Sequence, residues 1–194
     1  MTTAEQKKQL RTLVRSTERT LSEEYRRSSS QTITQFVESM PEYQSARSVF
    51  CFVGTRREID TTELLRDILS RGKRLCVPLC TGDGIMEPRE ISSLSQLSPG
   101  AYGILEPSGD SPLVPLNEVA LSVIPCLSCD HQGRRLGQGG GYYDRLFSQY
   151  SGHTVMLCRE RLMLAPIPTE PLDQIFPLVV TERGIFRNGV CQTI

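Results

Sequence analysis

The order of elements along the chain predicts an α/β fold with a mostly parallel sheet flanked by helices. Three observations carry this reading. Short, continuous apolar runs such as "SVFCFVG" from Ser48 and "VALSVIP" from Val119 suit strands buried on both faces. Segments of helical periodicity lie between such runs, and alternating strands and helices point to parallel pairing. With 194 residues the chain can build one sizeable core but is short for two independent ones, so residues 1–194 read as a single domain.

The first forty residues read as helix. Leu10, Leu13, Val14, Thr17 and Leu21 follow the spacing of a buried stripe, and Thr20 with Glu23 has the form of a cap for a second helix ending near Met40-Pro41. Lys7 and Arg11, four apart, share a face of the first helix. After the strand from Ser48, Asp60 and Glu63 have capping-box spacing ahead of "TELLRDILSRG". Gly72 closes that helix and "KRLCVPL" follows as a strand. From Cys80 to Val119 the chain is rich in Pro, Gly and Ser, which predicts loops, a short strand near Ile85–Glu87 and little helix. The strand from Val119 runs into a glycine-rich segment. Beyond it Tyr143, Phe147 and Tyr150 are spaced for one side of a helix, and "HTVMLC" supplies another strand. The tail offers the strand "FPLVVTE" and a hairpin in "RGIFRNGVCQTI", with Asn188-Gly189 at its turn.

Lys plus Arg and Asp plus Glu both number 22, so no global field favours nucleic acid or an anionic membrane, and any basic site is local. The polar start "MTTAEQKKQLRTLVRS" has no signal-peptide core and no segment reaches membrane-span length; the expectation is a cytoplasmic protein. The seven cysteines sit largely in apolar runs and read as small buried hydrophobes. A less favoured alternative groups Cys76 and Cys80 with Cys126 and Cys129 as four thiolates for zinc.

The segment "GRRLGQGGGYYDR", residues 133–145, holds five glycines and three arginines in thirteen positions. Glycines at the carboxyl edge of a parallel sheet let backbone amides turn toward a phosphate. The pattern is neither a dinucleotide fingerprint, since Tyr142 stands at the third glycine position, nor a P-loop, since no Lys-Ser or Lys-Thr follows. Phosphate binding is the favoured reading, with a tight solvated turn as the alternative. For Asp144, a carboxylate on the first turn of a helix is as reasonable as a metal ligand. His131 and His153 suggest no acid or base.

"RRLGQGGGYYDRLF" closely resembles the signature of the 5-formyltetrahydrofolate cyclo-ligase family. Further matches follow in order: "KKQLR", "EIDT" at 58–61, "YGILEP" at 102–107, "IP" before the glycines, and "PTEPLD…VVTE" at 168–182. The resemblance implies a Rossmann-like three-layer domain that uses ATP and Mg²⁺ to convert 5-formyltetrahydrofolate to 5,10-methenyltetrahydrofolate. The partner expected is the small-molecule substrate, with no nucleic acid or membrane, and the state expected is a monomer.

By this similarity Lys7 and Arg11 contact ATP phosphates, and Arg135, Leu136, Gly137, Gln138, Gly139, Gly140, Gly141, Tyr142 and Tyr143 form the nucleotide loop. Asp144 and Asp173 hold Mg²⁺. Val53 and Glu58 hold the folate, together with Gln138, Gly139, Gly140, Gly141 and Tyr142. Lys7, Arg11, Arg135, Tyr142 and Arg145 serve catalysis. Read without the resemblance, Lys7 and Arg11 are two solvated helix charges and Glu58 is a loop carboxylate. The chain departs from the family pattern at Leu172, where His is frequent, at Pro177, where an acid is frequent, and at Gln138 and Gly140. Two other readings stay open: an α/β phosphotransferase acting on another substrate, and a nucleotide-binding module without turnover.

Overall fold

The computed structural model describes residues 1–82, 84–100 and 103–192. Tyr102, at the start of the "YGILEP" match, and the terminal Thr193 and Ile194 lie outside the described residues. Among the described residues eight strands form the main sheet: β1 Ser48–Cys51, β2 Arg74–Gly82, β3 Ile85–Ile91, β6 Leu121–Pro125, β9 His153–Leu157, β10 Leu178–Thr181, β11 Gly184–Arg187 and β12 Val190–Gln192. Their spatial order is β12-β11-β10-β9-β6-β1-β2-β3. The central five pair in parallel, and antiparallel strands close both edges.

The alternation of side chains explains why these runs carry so little polar character. Val49 and Cys51 of β1 enter the same apolar cluster as Leu75 and Val77 of β2, while Phe50 and Cys76 point to the opposite cluster. Val155 and Leu157 against Met156, and Leu178 and Val180 against Val179, repeat the rule in β9 and β10. Helices α2 Glu23–Ser39, α3 Pro41–Ser45 and α4 Thr62–Ser70 cover the first face through Ile33, Val37, Tyr43, Leu64 and Ile68. Helices α1 Thr3–Arg19 and α5 Tyr142–Leu146 lie on the second face, with Val14 and Leu146 among their contacts. Each fully buried aliphatic or aromatic side chain contributes about 1.5–3 kcal/mol of transfer free energy.

Four local expectations need correction. Leu13 is 51% exposed, because the inward stripe of α1 runs through Lys7, Val14, Glu18 and Leu21, and Leu13 stands a turn-fraction away from it. Thr20 belongs to the end of α1, where its hydroxyl donates to the Thr17 carbonyl at 2.7 Å; Ser22 caps α2 by accepting from the Tyr25 amide at 3.2 Å. No capping box forms at Asp60 and Glu63. Thr61 holds the cap position, and Asp60 accepts from the Thr62 amide at 2.9 Å. The strand expected at Ile85–Glu87 extends to Ile91, with Pro88 opposite Pro78 at the sheet edge, where a missing donor is tolerated. The same region holds a two-stranded ribbon of β4 Leu97–Pro99 and β5 Leu105–Pro107.

Other local signals are met. Gly72, at φ +67°, ends α4, and the Lys73 amide reaches the Ile68 carbonyl at 3.1 Å. Asn188 and Gly189 both take positive φ, as a two-residue turn between β11 and β12 requires. Among the described residues no helix is long and apolar enough to cross a membrane.

Candidate active site

All five parallel strands present their carboxyl ends at one edge, and the segments that follow β1, β6 and β9 line a cleft there. Past β1 the chain runs through Val53 into a tight turn in which the Glu58 amide donates to the Thr55 carbonyl at 3.0 Å and the Glu58 carboxylate accepts from the Thr55 amide at 3.0 Å. The Thr61 hydroxyl donates to the Phe52 carbonyl at 2.9 Å and accepts from the Gly54 amide at 3.0 Å. Buried Arg159 secures the turn from behind. Its guanidinium donates to the carbonyls of Arg57 at 3.0 Å and Glu58 at 2.9 Å, and to the hydroxyls of Ser29 and Ser30. Burial holds its pKa below the usual guanidinium value. Glu58 is therefore a half-buried carboxylate on a pinned backbone.

The glycine segment is reached through a small hairpin, β7 Ser128–Cys129 paired with β8 Arg135–Leu136. Arg11 Nε donates to the Gly137 carbonyl at 2.9 Å, and Arg15 donates to the Gln138 side chain at 2.9 Å, so α1 lies along the loop. Gly139 takes φ +106°, and a Cβ there would meet the Arg11 guanidinium carbon at 3.5 Å. The positive φ is what requires glycine there, since the distance to Arg11 is an ordinary van der Waals contact. On the far side Arg145 donates to the carbonyls of Gly84 at 2.9 Å and Gly140 at 2.5 Å and lies over the Tyr142 ring. The helix expected to carry Tyr143, Phe147 and Tyr150 is only the five residues of α5. It stops at Leu146, yet Phe147 still stacks parallel to Tyr143 at 6.2 Å and meets Tyr150 edge-on at 5.3 Å. With so short a helix, the local positive field comes mainly from the guanidinium groups.

The second carboxylate arrives from the segment before β10. The Phe176 amide donates to the Gly133 carbonyl at 3.0 Å, and Arg134 bridges to Ile175, which brings residues 170–174 beside α5. The Gln174 amide then donates to Asp144 Oδ1 at 3.3 Å. Arg135 lies 3.5 Å from Asp144 Oδ2, donates to the Pro125 carbonyl at 2.9 Å and covers the Tyr143 ring. Lys7, its side chain 7% exposed, pairs with both Asp173 and Glu170. Burial raises the Tyr143 hydroxyl pKa above its ordinary value, so that group is neutral.

Each carboxylate that could bind a hard divalent cation is thus neutralised by a side chain that could bind a phosphate. An incoming triphosphate would take over Lys7 and Arg135 and leave Asp144 and Asp173 for Mg²⁺, whose preference for oxygen donors they match. The residues present fit such an ion.

The cavity these groups enclose measures about 880 Å³, within the usual range for a small-molecule site. Every predicted site residue lines it: Lys7, Arg11, Val53, Glu58, Arg135 through Arg145, and Asp173. Leu136 does so with its side chain fully buried. Phe52, Pro78, Met86 and Ile104 also line it, and sequence reasoning identified none of them. It also missed Glu170, although a carboxylate three residues before Asp173 in "PTEPLD" was a usable signal, and Arg159, whose role comes from burial. Leu172 stands 86% exposed at the cavity rim. His131 stacks on Phe186 at 4.0 Å, and neither it nor His153 lines the cavity.

Comparison with known proteins gives a consistent result. The model of the 5-formyltetrahydrofolate cyclo-ligase family matches residues 3–182. A probable 5-formyltetrahydrofolate cyclo-ligase of Schizosaccharomyces pombe is 27% identical over 199 residues, covering 94% of this chain and 98% of the relative. The 5-formyltetrahydrofolate cyclo-ligase of Escherichia coli K12 is 26% identical over 186 residues, covering 90% and 99%. The NMR structure of Aquifex aeolicus 5,10-methenyltetrahydrofolate synthetase superposes with a TM-score of 0.84 at 29% identity, covering 97% of this chain and 95% of that one. A Mycoplasma pneumoniae 5,10-methenyltetrahydrofolate synthetase, at 16% identity and a TM-score of 0.74, shares the fold over 91% of this chain and 98% of its own.

Proposed function

The chain belongs to the 5-formyltetrahydrofolate cyclo-ligase family, and on that premise we propose that it cyclises 5-formyltetrahydrofolate to 5,10-methenyltetrahydrofolate with ATP and Mg²⁺, releasing ADP and phosphate. The observation that carries this reading is one cavity lined by two chemically distinct sets of residues. One set combines glycines, Lys7, Arg11, Arg135 and Arg145 with the carboxylates of Asp144 and Asp173; the other combines Val53, Phe52 and Pro78 with Glu58. A binding module for nucleotide alone has no use for the second set.

The chemistry requires both sets. A formamide oxygen is a poor leaving group, so that oxygen first attacks the γ-phosphorus and ADP departs. N10 then adds to the formyl carbon, the carbon–oxygen bond breaks to release phosphate, and the N10 proton passes to solvent. Lys7 and Arg135 exchange their carboxylate partners for phosphate oxygens. Arg11 keeps Nε on the Gly137 carbonyl and offers its terminal nitrogens to the same charge. Asp144 and Asp173 hold the Mg²⁺, which when bound neutralises phosphate charge. Glu58 accepts hydrogen bonds from the pterin, and its pinned turn fixes the formyl group against the phosphate. Arg145 holds the glycine segment closed, and Tyr142 lies between the two ligands. On this reading residues 1–194 act as one cytoplasmic domain and as a monomer.

Substrate carrying ¹⁸O in the formyl group tests the order of steps. The label should appear in the released phosphate; label found in water instead would rule out phosphorylation of the formyl oxygen.

A further inference from the structure

Three thiols that the folate reaction does not use meet at the carboxyl ends of two neighbouring strands. The register of β6 on β9 sets Pro125 opposite Leu157, so the next residue on each strand, Cys126 and Cys158, leaves the sheet at the same level. The chain after Cys126 turns back into β7, where Cys129 pairs with Arg135, and this return brings a third sulfur to the same place. The sulfur atoms of Cys126, Cys129 and Cys158 all lie within 4.8 Å of one another. Cys129 and Cys158 are 0% and 3% exposed, whereas Cys126 is half-buried and lines the cavity. The alternative grouping of Cys126 and Cys129 with Cys76 and Cys80 does not form. Cys76 is packed in the sheet and Cys80 lies on the cavity wall, where burial pushes its thiol up to about 11.

We propose that Cys126, Cys129 and Cys158 form a three-thiolate site for a soft divalent cation of the zinc and cadmium class, with its fourth position open to the cavity. Sulfurs bound to zinc at ~2.3 Å stand about 3.8 Å apart in a tetrahedral set, so a contraction of no more than about 1 Å closes the site. The Cys-x-x-Cys spacing of two of the ligands is common among structural zinc sites. Charge balance also suits the ion. Binding converts three thiols to thiolates and gives a centre of net charge −1 beside the cationic Arg135, which donates to the carbonyl of Pro125 immediately before Cys126. Mg²⁺ is no competitor at three sulfurs, and the soft ion is outmatched by Mg²⁺ in supply at Asp144 and Asp173. Occupancy would tie the β7–β8 hairpin, and with it the start of the glycine segment, to the sheet.

The test is titration of the reduced, full-length protein with Cd²⁺ in excess Mg²⁺, followed by the ultraviolet thiolate-to-cadmium charge-transfer band. The band should saturate at one ion per chain and fall when Zn²⁺ displaces the cadmium. Alkylation mapped by mass spectrometry should show Cys126, Cys129 and Cys158 protected by Zn²⁺, and the wild-type protein suffices for this reading. C158S should weaken binding by more than the ~100-fold typical of changes beyond the ligands themselves, and C76S should leave it unchanged. No saturation at one equivalent, protection of other cysteines, or wild-type affinity in C158S would overturn the site. So would thiols that are found as a disulfide and take up no metal after reduction.

Discussion

Asp144 and Glu58 separate the two halves of the site at the level of single residues. Asp144 sits between Arg135 and the Gln174 amide, so Asp144→Asn can still accept from the Gln174 amide but gives up the Arg135 contact and the charge a divalent ion needs. Turnover should fall at least about 100-fold, the loss typical of one removed electrostatic contact at a transition state, with thermal unfolding little changed. Mg²⁺ titration of activity checks this, and full activity would remove Asp144 from the metal site. Glu58→Gln retains the shape of the Thr55 turn and should raise the KM for folate about tenfold, the equivalent of one hydrogen bond to a charged group, while the KM for ATP stays put. These roles were legible because residue types with definite chemistry stood in a recognisable pattern. Glu170 and Arg159 were not. The spacing of Glu170 from Asp173 in "PTEPLD" becomes a signal only once Asp173 is placed in the site, and what makes Arg159 a support for Glu58 is its burial under α2 and the loop carbonyls.

At the scale of elements, strands were easier to read than helix ends. Buried parallel strands announce themselves as apolar runs, whereas a cap depends on which of several neighbouring hydroxyls meets the first free amide. Thr20, Ser22, Asp60 and Thr61 all offer oxygens, and backbone geometry chose among them. The edge strand β3 was expected to be short because the region from Cys80 to Val119 is rich in Pro, Gly and Ser; its antiparallel pairing with β2, Pro88 opposite Pro78, carries it on to Ile91. The glycine segment depends on a comparable non-local support, since Arg145 bridges the carbonyls of Gly84 and Gly140. Arg145→Ala should loosen that loop and raise the KM for ATP more than it lowers kcat. A loss confined to kcat would instead place Arg145 on the transferring phosphate.

For the whole molecule, the fold places charge where it also holds layers together. Arg187 of β11 makes a bidentate pair with Glu42 of α3 at 2.6 and 2.8 Å, tying the edge hairpin to the helical layer. The hydrogen bonds from Arg187 hold the Glu42 carboxyl below its ordinary pKa. A lowered folded-state pKa means stability fully present above the unfolded value of about 4.3 and lost as pH falls through the depressed value. Arg187→Ala should therefore destabilise the protein at neutral pH by no more than about 1 kcal/mol, since the pair is partly exposed, and the difference should vanish in acid. Denaturant unfolding at several pH values measures this; a difference that persists below the carboxylate range would assign the effect to packing.

The same architecture brings residues from opposite ends of the chain, Lys7 and Asp173, into one cleft with Glu58. Whether that convergence makes a cyclo-ligase is read from an absorbance assay for methenyltetrahydrofolate, using purified protein, 5-formyltetrahydrofolate, ATP and Mg²⁺, with ATP and Mg²⁺ each omitted in turn. Product should form only when both are present. Product formed without either, or none from folded protein that binds ATP, would contradict this assignment.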